Sequence, residues 1–365
     1  MKTLMIASLK STFGRETYHK LLENGVKVSL LDFDTLKLYE NDKVIDETYA
    51  KRFLKYSKLS KIHLIIRILF IAQVISKNSF KAINIHFVYI YYIVIFPILK
   101  KNNVIYTVYG SDFYRMNPLK RWLQKFLYQK AKMITFTNPL SQKSFLEYYC
   151  AFEDKVKVCR FGLGTLDFID KNREKNKAEI KQTLGYSQSK IIVTCGYNAT
   201  KAQQHELMIE QLCTIKSEIL SKIQFIFPMT YGDTLYKESI KNILQKTNLD
   251  YIILEDFLFE DNNAYIKLAS DVMINMLQTD SFSGSMQEFL YANNLIITGS
   301  WLPYKVFDDE GIVYYKIDSL GGLGKKLIEV VLDLDKGIMV VNIPIIYKLS
   351  SWKNTIKSWI EVYES

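Results

Sequence analysis

Short apolar runs alternate with amphipathic stretches along almost the whole chain. Leu4 to Ser8 reads as a strand, Phe13 to Asn24 as a helix ended by Gly25, and Lys27 to Asp32 as the next strand. Glycine directly after a helical stretch supplies the left-handed residue that commonly closes a helix. This strand, helix, strand order within about thirty residues is the opening of a parallel βαβ unit. Residues 35–60 are polar and less regular, and Leu59 to Ser76 reads as an apolar helix. Further strands are expected at Ala82 to His86, Val104 to Val108, Met133 to Thr137 and Val156 to Cys159. Helices fit Trp122 to Lys132 and Pro139 to Tyr149.

Lys171 to Lys181 is almost entirely charged, which marks a linker or the exposed first helix of a second domain. The alternation then restarts. Strands are expected at 190–195, 223–227, 251–254, 271–276, 295–298 and 312–315. Helices are expected at 203–217, 234–247, 262–268, 321–333 and 351–363, with one more opening after Asp280. The pattern predicts an α/β protein of two doubly wound, Rossmann-like domains, residues 1–170 and 171–350, facing across a cleft at the carboxyl ends of their strands. The terminal helix, 351–365, is expected to pack back on the first domain. A chain of 365 residues is long enough for two separate cores.

The net charge of +10 hides a division: residues 1–180 hold 31 Lys/Arg and 16 Asp/Glu, whereas residues 181–365 hold 17 and 22. No acidic residue occurs between Glu47 and Asp112, yet Lys51, Arg52, Lys55, Lys58, Lys61, Arg67, Lys77, Lys81, Lys100 and Lys101 all do. Basic residues beside large apolar ones fit an anionic membrane surface, and equally a solvated basic face. Nucleic acid is not expected, because no zinc finger, RNP-like segment or reading helix is present. In the apolar run Ala82 to Leu99, Asn84, His86 and Pro97 interrupt what a spanning helix of about twenty residues requires. The expectation is a buried strand and helix in a cytoplasmic protein, peripheral on the inner face of the cell membrane. Cys150, Cys159, Cys195 and Cys213 form no CxxC pair and read as reduced thiols.

Residues 279–300, TDSFSGSMQEFLYANNLIITGS, concentrate the chemistry. Asp280 precedes a turn of small residues, Ser281, Ser283, Gly284 and Ser285, and Met286, Phe289 and Leu290 recur as one helical face. A helix mouth of this kind offers free amides and the positive end of its dipole to a diphosphate. Glu288, one turn inside, is expected to face a ribose or sugar. The plainer reading is a Ser-capped helix between two strands.

Gly196, Tyr197 and Asn198 follow the first strand of the second domain, with Lys201 and His205 just beyond. Glycine permits close approach to phosphate oxygens, and Lys201 can offset their charge. Lys201 also reads as a solvated surface lysine, and His205 as a helix-surface or capping histidine. Thr230 and Tyr231 are expected to line a donor pocket, and Asp256 and Phe257 to lie where backbone meets a nucleobase. In the first domain, Lys10, Ser11, Thr12 and Gly14 form one strand-to-helix turn, and Tyr109 to Asp112 another. Asp112 or His86 can act as base toward an acceptor hydroxyl within hydrogen-bond reach, or each can be structural. No metal constellation is present: His19, His63, His86 and His205 form no HExxH, and Asp32 and Asp34 edge a strand.

These motifs resemble those of bacterial GT-B glycosyltransferases. Asp280-x7-Glu288 resembles their Glu-x7-Glu motif with Asp in first place, and Tyr109-Gly110-Ser111-Asp112 resembles their His-Gly-x-Asp stretch. The stretches GlyTyrAsn, ProMetThrTyrGly and AspSerPheSerGlySerMetGlnGluPheLeuTyrAla, ending in GlySerTrpLeuProTyr, resemble more closely the 4-acetamido-4,6-dideoxygalactose (Fuc4NAc) transferases. That closer likeness covers about residues 190–305. It implies a nucleotide diphosphate sugar donor, no other cofactor, and a lipid-linked or growing capsule or O-antigen acceptor. The Glu-x7-Glu resemblance implies that Asp280 lies near the transferred sugar and Glu288 near the ribose. Asn198 and Lys201 stand where retaining members carry Arg and Lys, which leaves retention or inversion open. A two-domain sugar-nucleotide epimerase and a non-enzymatic membrane-associated binding protein are the alternatives.

Overall fold

The computed structural model describes residues 1–54, 63–114, 116–280 and 282–365. Lys55, Lys58, Lys61 and Ser281 lie outside them. The chain divides into two compact units, Met1–Gly162 with Trp352–Ser365, and Leu163–Ser351.

The first unit is built on eight strands: β1 (Thr3–Ala7), β2 (Val28–Asp32), β3 (Leu38–Glu40), β4 (Lys43–Asp46), β5 (Ile83–His86), β6 (Val104–Val108), β7 (Met133–Phe136) and β8 (Val156–Val158). Their order is β4-β3-β2-β1-β5-β6-β7-β8, and only the β2–β3 and β3–β4 pairings are antiparallel. β1, β2, β5 and β6 are buried along their whole length, as parallel strands covered on both faces must be. The hairpin β3–β4 and the helix Thr48–Leu54 occupy residues expected to be irregular. Asn41 and Asp42 both have positive φ, +46° and +62°, and form the two-residue turn between these strands.

The apolar run 82–99 is not one helix. After β5 it forms a 3₁₀ turn, Ile90–Ile95, and a single helical turn, Phe96–Leu99. No helix among the described residues is long and apolar enough to cross a membrane. The terminal helix Trp352–Glu364 packs beside helix Thr12–Glu23, with Trp352, Trp359 and Tyr363 in the core. The Trp359 indole donates to the Arg160 carbonyl at 2.9 Å.

The second unit carries six parallel strands: β9 (Ile191–Cys195), β10 (Ile223–Pro228), β11 (Tyr251–Leu254), β12 (Val272–Asn275), β13 (Leu295–Gly299) and β14 (Tyr315–Ile317). They are ordered β11-β10-β9-β12-β13-β14. The charged segment 171–181 is not a free linker. Lys171 pairs with Asp261 at 2.8 Å, Lys177 with Asp271, and the Arg173 guanidinium donates to the Tyr291 carbonyl at 3.1 Å. An unforeseen helix, Asn342–Ser350, packs on helix Gly284–Tyr291. Cys159 and Cys195 are buried, whereas Cys150 and Cys213 are exposed.

Candidate functional site

In the second sheet the strand order reverses between β9 and β12, which opens a crevice outside their carboxyl ends. Gly196 stands at its floor. Its N–H donates to the Ile274 carbonyl of β12 at 2.9 Å, and its φ is +66°. A Cβ there would lie 2.8 Å from both Gln203 Oε1 and His205 Nε2. Glycine is therefore required twice, by backbone conformation and by the two side chains packed against it.

The following turn is tied to its neighbour. Asn198 Oδ1 accepts from the Thr200 N–H at 3.1 Å and its hydroxyl at 2.8 Å. The Ala199 N–H donates to the Tyr231 carbonyl at 2.7 Å, and the Ala199 carbonyl accepts from the Asp233 N–H at 2.8 Å. Gly232 has φ +131°, and a Cβ on it would meet the Ala199 carbonyl oxygen at 2.3 Å. Thr230 and Tyr231 therefore belong to the same hydrogen-bonded layer as Asn198. The exposed Tyr231 ring leans on Phe257 at 6.0 Å, and Phe257 on Phe259 at 4.6 Å. Asp256 is exposed beside them.

On the other side of the crevice, the segment after β12 leads to the helix Gly284–Tyr291. Gln204 Nε2 donates to the Met276 carbonyl at 2.6 Å, and the Gln278 N–H to the Ala202 carbonyl at 2.9 Å. These bonds join this segment to the turn that carries Lys201. Ser283 Oγ caps the helix by accepting from the Met286 N–H at 3.1 Å. The Gly284 and Ser285 amides, in the first turn, have no acceptor within the helix.

Asp280 accepts from the Tyr304 hydroxyl at 2.7 Å, and the same hydroxyl accepts from Asn275 Nδ2 at 2.8 Å. Burial first, and then the Asp280 charge, raise the phenols of both Tyr304 and Tyr197 well above the usual tyrosine range. Both remain protonated beside a carboxylate. Glu288 lies deeper and is ion-paired with Lys267 at 3.2 Å, with only 14% and 7% of the two side chains exposed. Lys267 also donates to Asn263.

Lys201 is exposed on the 3₁₀ turn Lys201–Gln203. His205 does not stand beside it as a second cation. It is fully buried, packed at a tilt against Phe227 and Tyr236, and burial lowers its pKa to about 4, so the ring is neutral. Its ring nitrogens and both polar atoms of Gln203 are buried without a hydrogen bond of good geometry among the described residues. Nor does any group of three or more His, Cys, Asp or Glu among the described residues gather to hold a metal ion.

The two residues expected as bases in the first unit are both buried and hydrogen-bonded within it. The Asp112 carboxylate is 1% exposed and accepts the N–H groups of Val88 at 2.8 Å, Tyr109 at 3.0 Å and Gly110 at 2.9 Å. Burial lifts its pKa to about 6, but its oxygens are spent on holding two loops together. His86 Nδ1 lies 3.1 Å from the Tyr109 hydroxyl and Nε2 lies 3.4 Å from that of Tyr363. Burial lowers its pKa to about 3, so it stays neutral, stacked on Trp359. Gly14, by contrast, permits close approach: a Cβ on it would lie 2.7 Å from the Ser8 carbonyl oxygen at the end of β1.

Tyr304, Asn275, Gln203 and Lys267 shape the crevice but received no role from the sequence. Asn275 was the most legible of them, a polar residue closing the apolar strand VMIN at its carboxyl end.

Residues 2–138 match a family model described as glycosyl transferase 4-like. Over its full length the chain superposes on solved structures of low sequence identity. A glycosyltransferase from Rickettsia africae ESF-5 has TM-score 0.72 and 14% identity, covering 100% of this chain and 98% of that one. Anabaena Alr3699/HepE in complex with UDP-glucose has TM-score 0.72 and 10% identity, with 100% and 99% covered. Sucrose-phosphate synthase from Thermosynechococcus elongatus has TM-score 0.74 and 12% identity, with 100% and 98% covered. The chain has the GT-B fold. No curated protein matches it. In GT-B terms, the Gly196 turn and the Ser283-capped helix sit in the carboxyl-terminal Rossmann-like unit.

Proposed function

We propose that the protein is a metal-independent glycosyltransferase that takes a sugar from a nucleotide diphosphate sugar. Its acceptor, on this reading, is a hydroxyl of a lipid-linked or growing cell-surface glycan, of capsule or O-antigen type, at the inner face of the cell membrane. The observation that carries the proposal is the convergence of the Gly196 turn, Asp280 and the Ser283-capped helix start at the strand-order reversal of the second sheet. The family match over residues 2–138 and the fold shared with HepE, solved with UDP-glucose, support it.

On this proposal the diphosphate lies at the Gly284 and Ser285 amides, with the exposed Lys201 offsetting its charge. Asn198 and the Thr230–Tyr231 turn flank it, and the nucleobase reaches the Asp256–Phe257 loop. Asp280, held by Tyr304, accepts from hydroxyls of the transferred sugar, and Glu288, held by Lys267, from the ribose. During transfer the bond from the anomeric carbon to the diphosphate breaks, and the diphosphate leaves with the electron pair. The acceptor oxygen bonds to that carbon and its proton passes to the leaving diphosphate or to solvent. The first unit binds the acceptor, with Ser11, Thr12 and the Tyr109–Gly110 turn at the carboxyl ends of β1 and β6.

A panel of UDP-, dTDP-, GDP- and ADP-sugars tests this by thermal stabilisation, followed by transfer to an undecaprenyl-diphosphate-linked sugar. One nucleotide class is expected to raise the melting temperature, and its sugar to be transferred only when acceptor is present. Conversion of the donor without any acceptor would favour an epimerase. Stabilisation by no nucleotide would contradict the proposal.

A further inference from the structure

Helix Pro118–Gln129 turns one face inward and leaves an apolar face uncovered. Asn117 caps it by accepting from the Lys120 N–H at 2.9 Å, and Gln124, Leu127 and Tyr128 form the buried side. Gln124 Nε2 fixes the rotation of the helix by donating to the Asp112 carbonyl at 2.9 Å. At the helical spacing i, i+3 and i+7, Leu119, Trp122 and Phe126 then point outward, 67%, 56% and 37% exposed. The Trp122 and Phe126 rings meet edge to face at 4.9 Å, one and two turns beyond Leu119 on the same face.

The neighbouring elements also expose large apolar side chains. The 3₁₀ turn Ile90–Ile95, packed against this helix, exposes Tyr91 and Val94, and helix His63–Lys77, packed against the same turn, exposes Leu69. A folded protein rarely leaves so many large apolar side chains together on its surface without a partner.

Charge selects the partner. From residue 48 to residue 146 the only acid is Asp112, which is buried, while Lys100, Lys101, Lys120, Lys125 and Lys130 are exposed. A second copy of this chain would bring the same positive surplus against itself. We infer that Leu119, Trp122 and Phe126 insert into the interfacial layer of an anionic lipid bilayer, with the surrounding lysines on its headgroups. This places the contact on residues 118–130 rather than on the basic run 51–101 alone, and it does not depend on the transferase reading.

The test is co-sedimentation of the full chain, without nucleotide sugar, with phosphatidylcholine vesicles containing or lacking phosphatidylglycerol. Binding is expected only with phosphatidylglycerol and is expected to fall with added salt. Leu119→Ser, Trp122→Ser and Phe126→Ser together are expected to weaken it at least about tenfold. The melting temperature should hold, because all three side chains are exposed. Lys125→Glu with Lys130→Glu should also weaken binding while leaving the apolar face intact. Undiminished binding by the folded triple variant, or no binding by the wild type, overturns the inference. So does a wild-type dimer in lipid-free solution that the triple variant converts to monomer.

Discussion

Asp280→Asn is expected to lower kcat for glycosyl transfer by about 10²–10³, the loss typical when one preorganised electrostatic contact to a transition state is removed. The substitution keeps an oxygen that accepts from the Tyr304 hydroxyl, now at 2.7 Å, so the melting temperature should change little. A large activity loss in a folded variant would separate a role toward substrate from a role in packing. Tyr304→Phe should give a smaller loss, because the carboxylate remains but its orientation relaxes. Glu288 requires Gln rather than Ala as its probe. Truncation would strand the Lys267 ammonium, which is paired at 3.2 Å and nearly buried, and stranding one member of such a pair costs about 3–5 kcal/mol. Steady-state kinetics with the accepted donor, beside melting curves, check all three variants. Unchanged kcat in Asp280→Asn would remove that carboxylate from the chemistry.

The second large effect is structural. Gly232→Ala places a methyl group 2.3 Å from the Ala199 carbonyl oxygen at φ +131°, a backbone conformation that side-chain-bearing residues rarely adopt. Such strain costs about 1–3 kcal/mol, before any loss of the hydrogen bonds that join the two loops. At about 2–4 °C per kcal/mol, the second unit should melt several degrees lower, and nucleotide binding should weaken with it. Gly185→Ala is the control. Its φ is +69° but nothing lies within 4 Å of the added Cβ, so it should be milder and leave nucleotide binding intact. Gly196→Ala should fall between them in stability, because its Cβ meets the movable side chains of Gln203 and His205 rather than backbone. Equal melting temperatures for Gly232→Ala and Gly185→Ala would contradict the packing described for the Ala199 and Gly232 loops.

The parts of the chain that read clearly before folding are those decided locally. Buried parallel strands such as Ile296–Ile297 announce themselves as apolar runs, and a serine before a helical apolar face marks a helix start. The hairpin β3–β4 was missed because its strands are short and largely exposed at a sheet edge, although Asn41–Asp42 is the kind of pair that turns such a hairpin. Helix Asn342–Ser350 was missed because Pro344 near its start and a short apolar run resemble a loop or strand. What sequence hides most is satisfaction and burial. Asp112 and His86 have the chemistry of bases, but the Val88 amide reaches Asp112, and the Tyr109 and Tyr363 hydroxyls reach His86, from distant segments. Lys267 reaches Glu288 from another helix, and Tyr304 reaches Asp280 across 24 positions, so neither pair leaves a local signal.

A crystal structure of the full chain with the nucleoside diphosphate of its donor tests the central claim most directly. The account predicts the diphosphate within hydrogen-bond distance of the Gly284 and Ser285 amides, beside the Gly196 turn, with no metal ion bridging its oxygens. A diphosphate bound elsewhere, or held there through a metal ion, would contradict it.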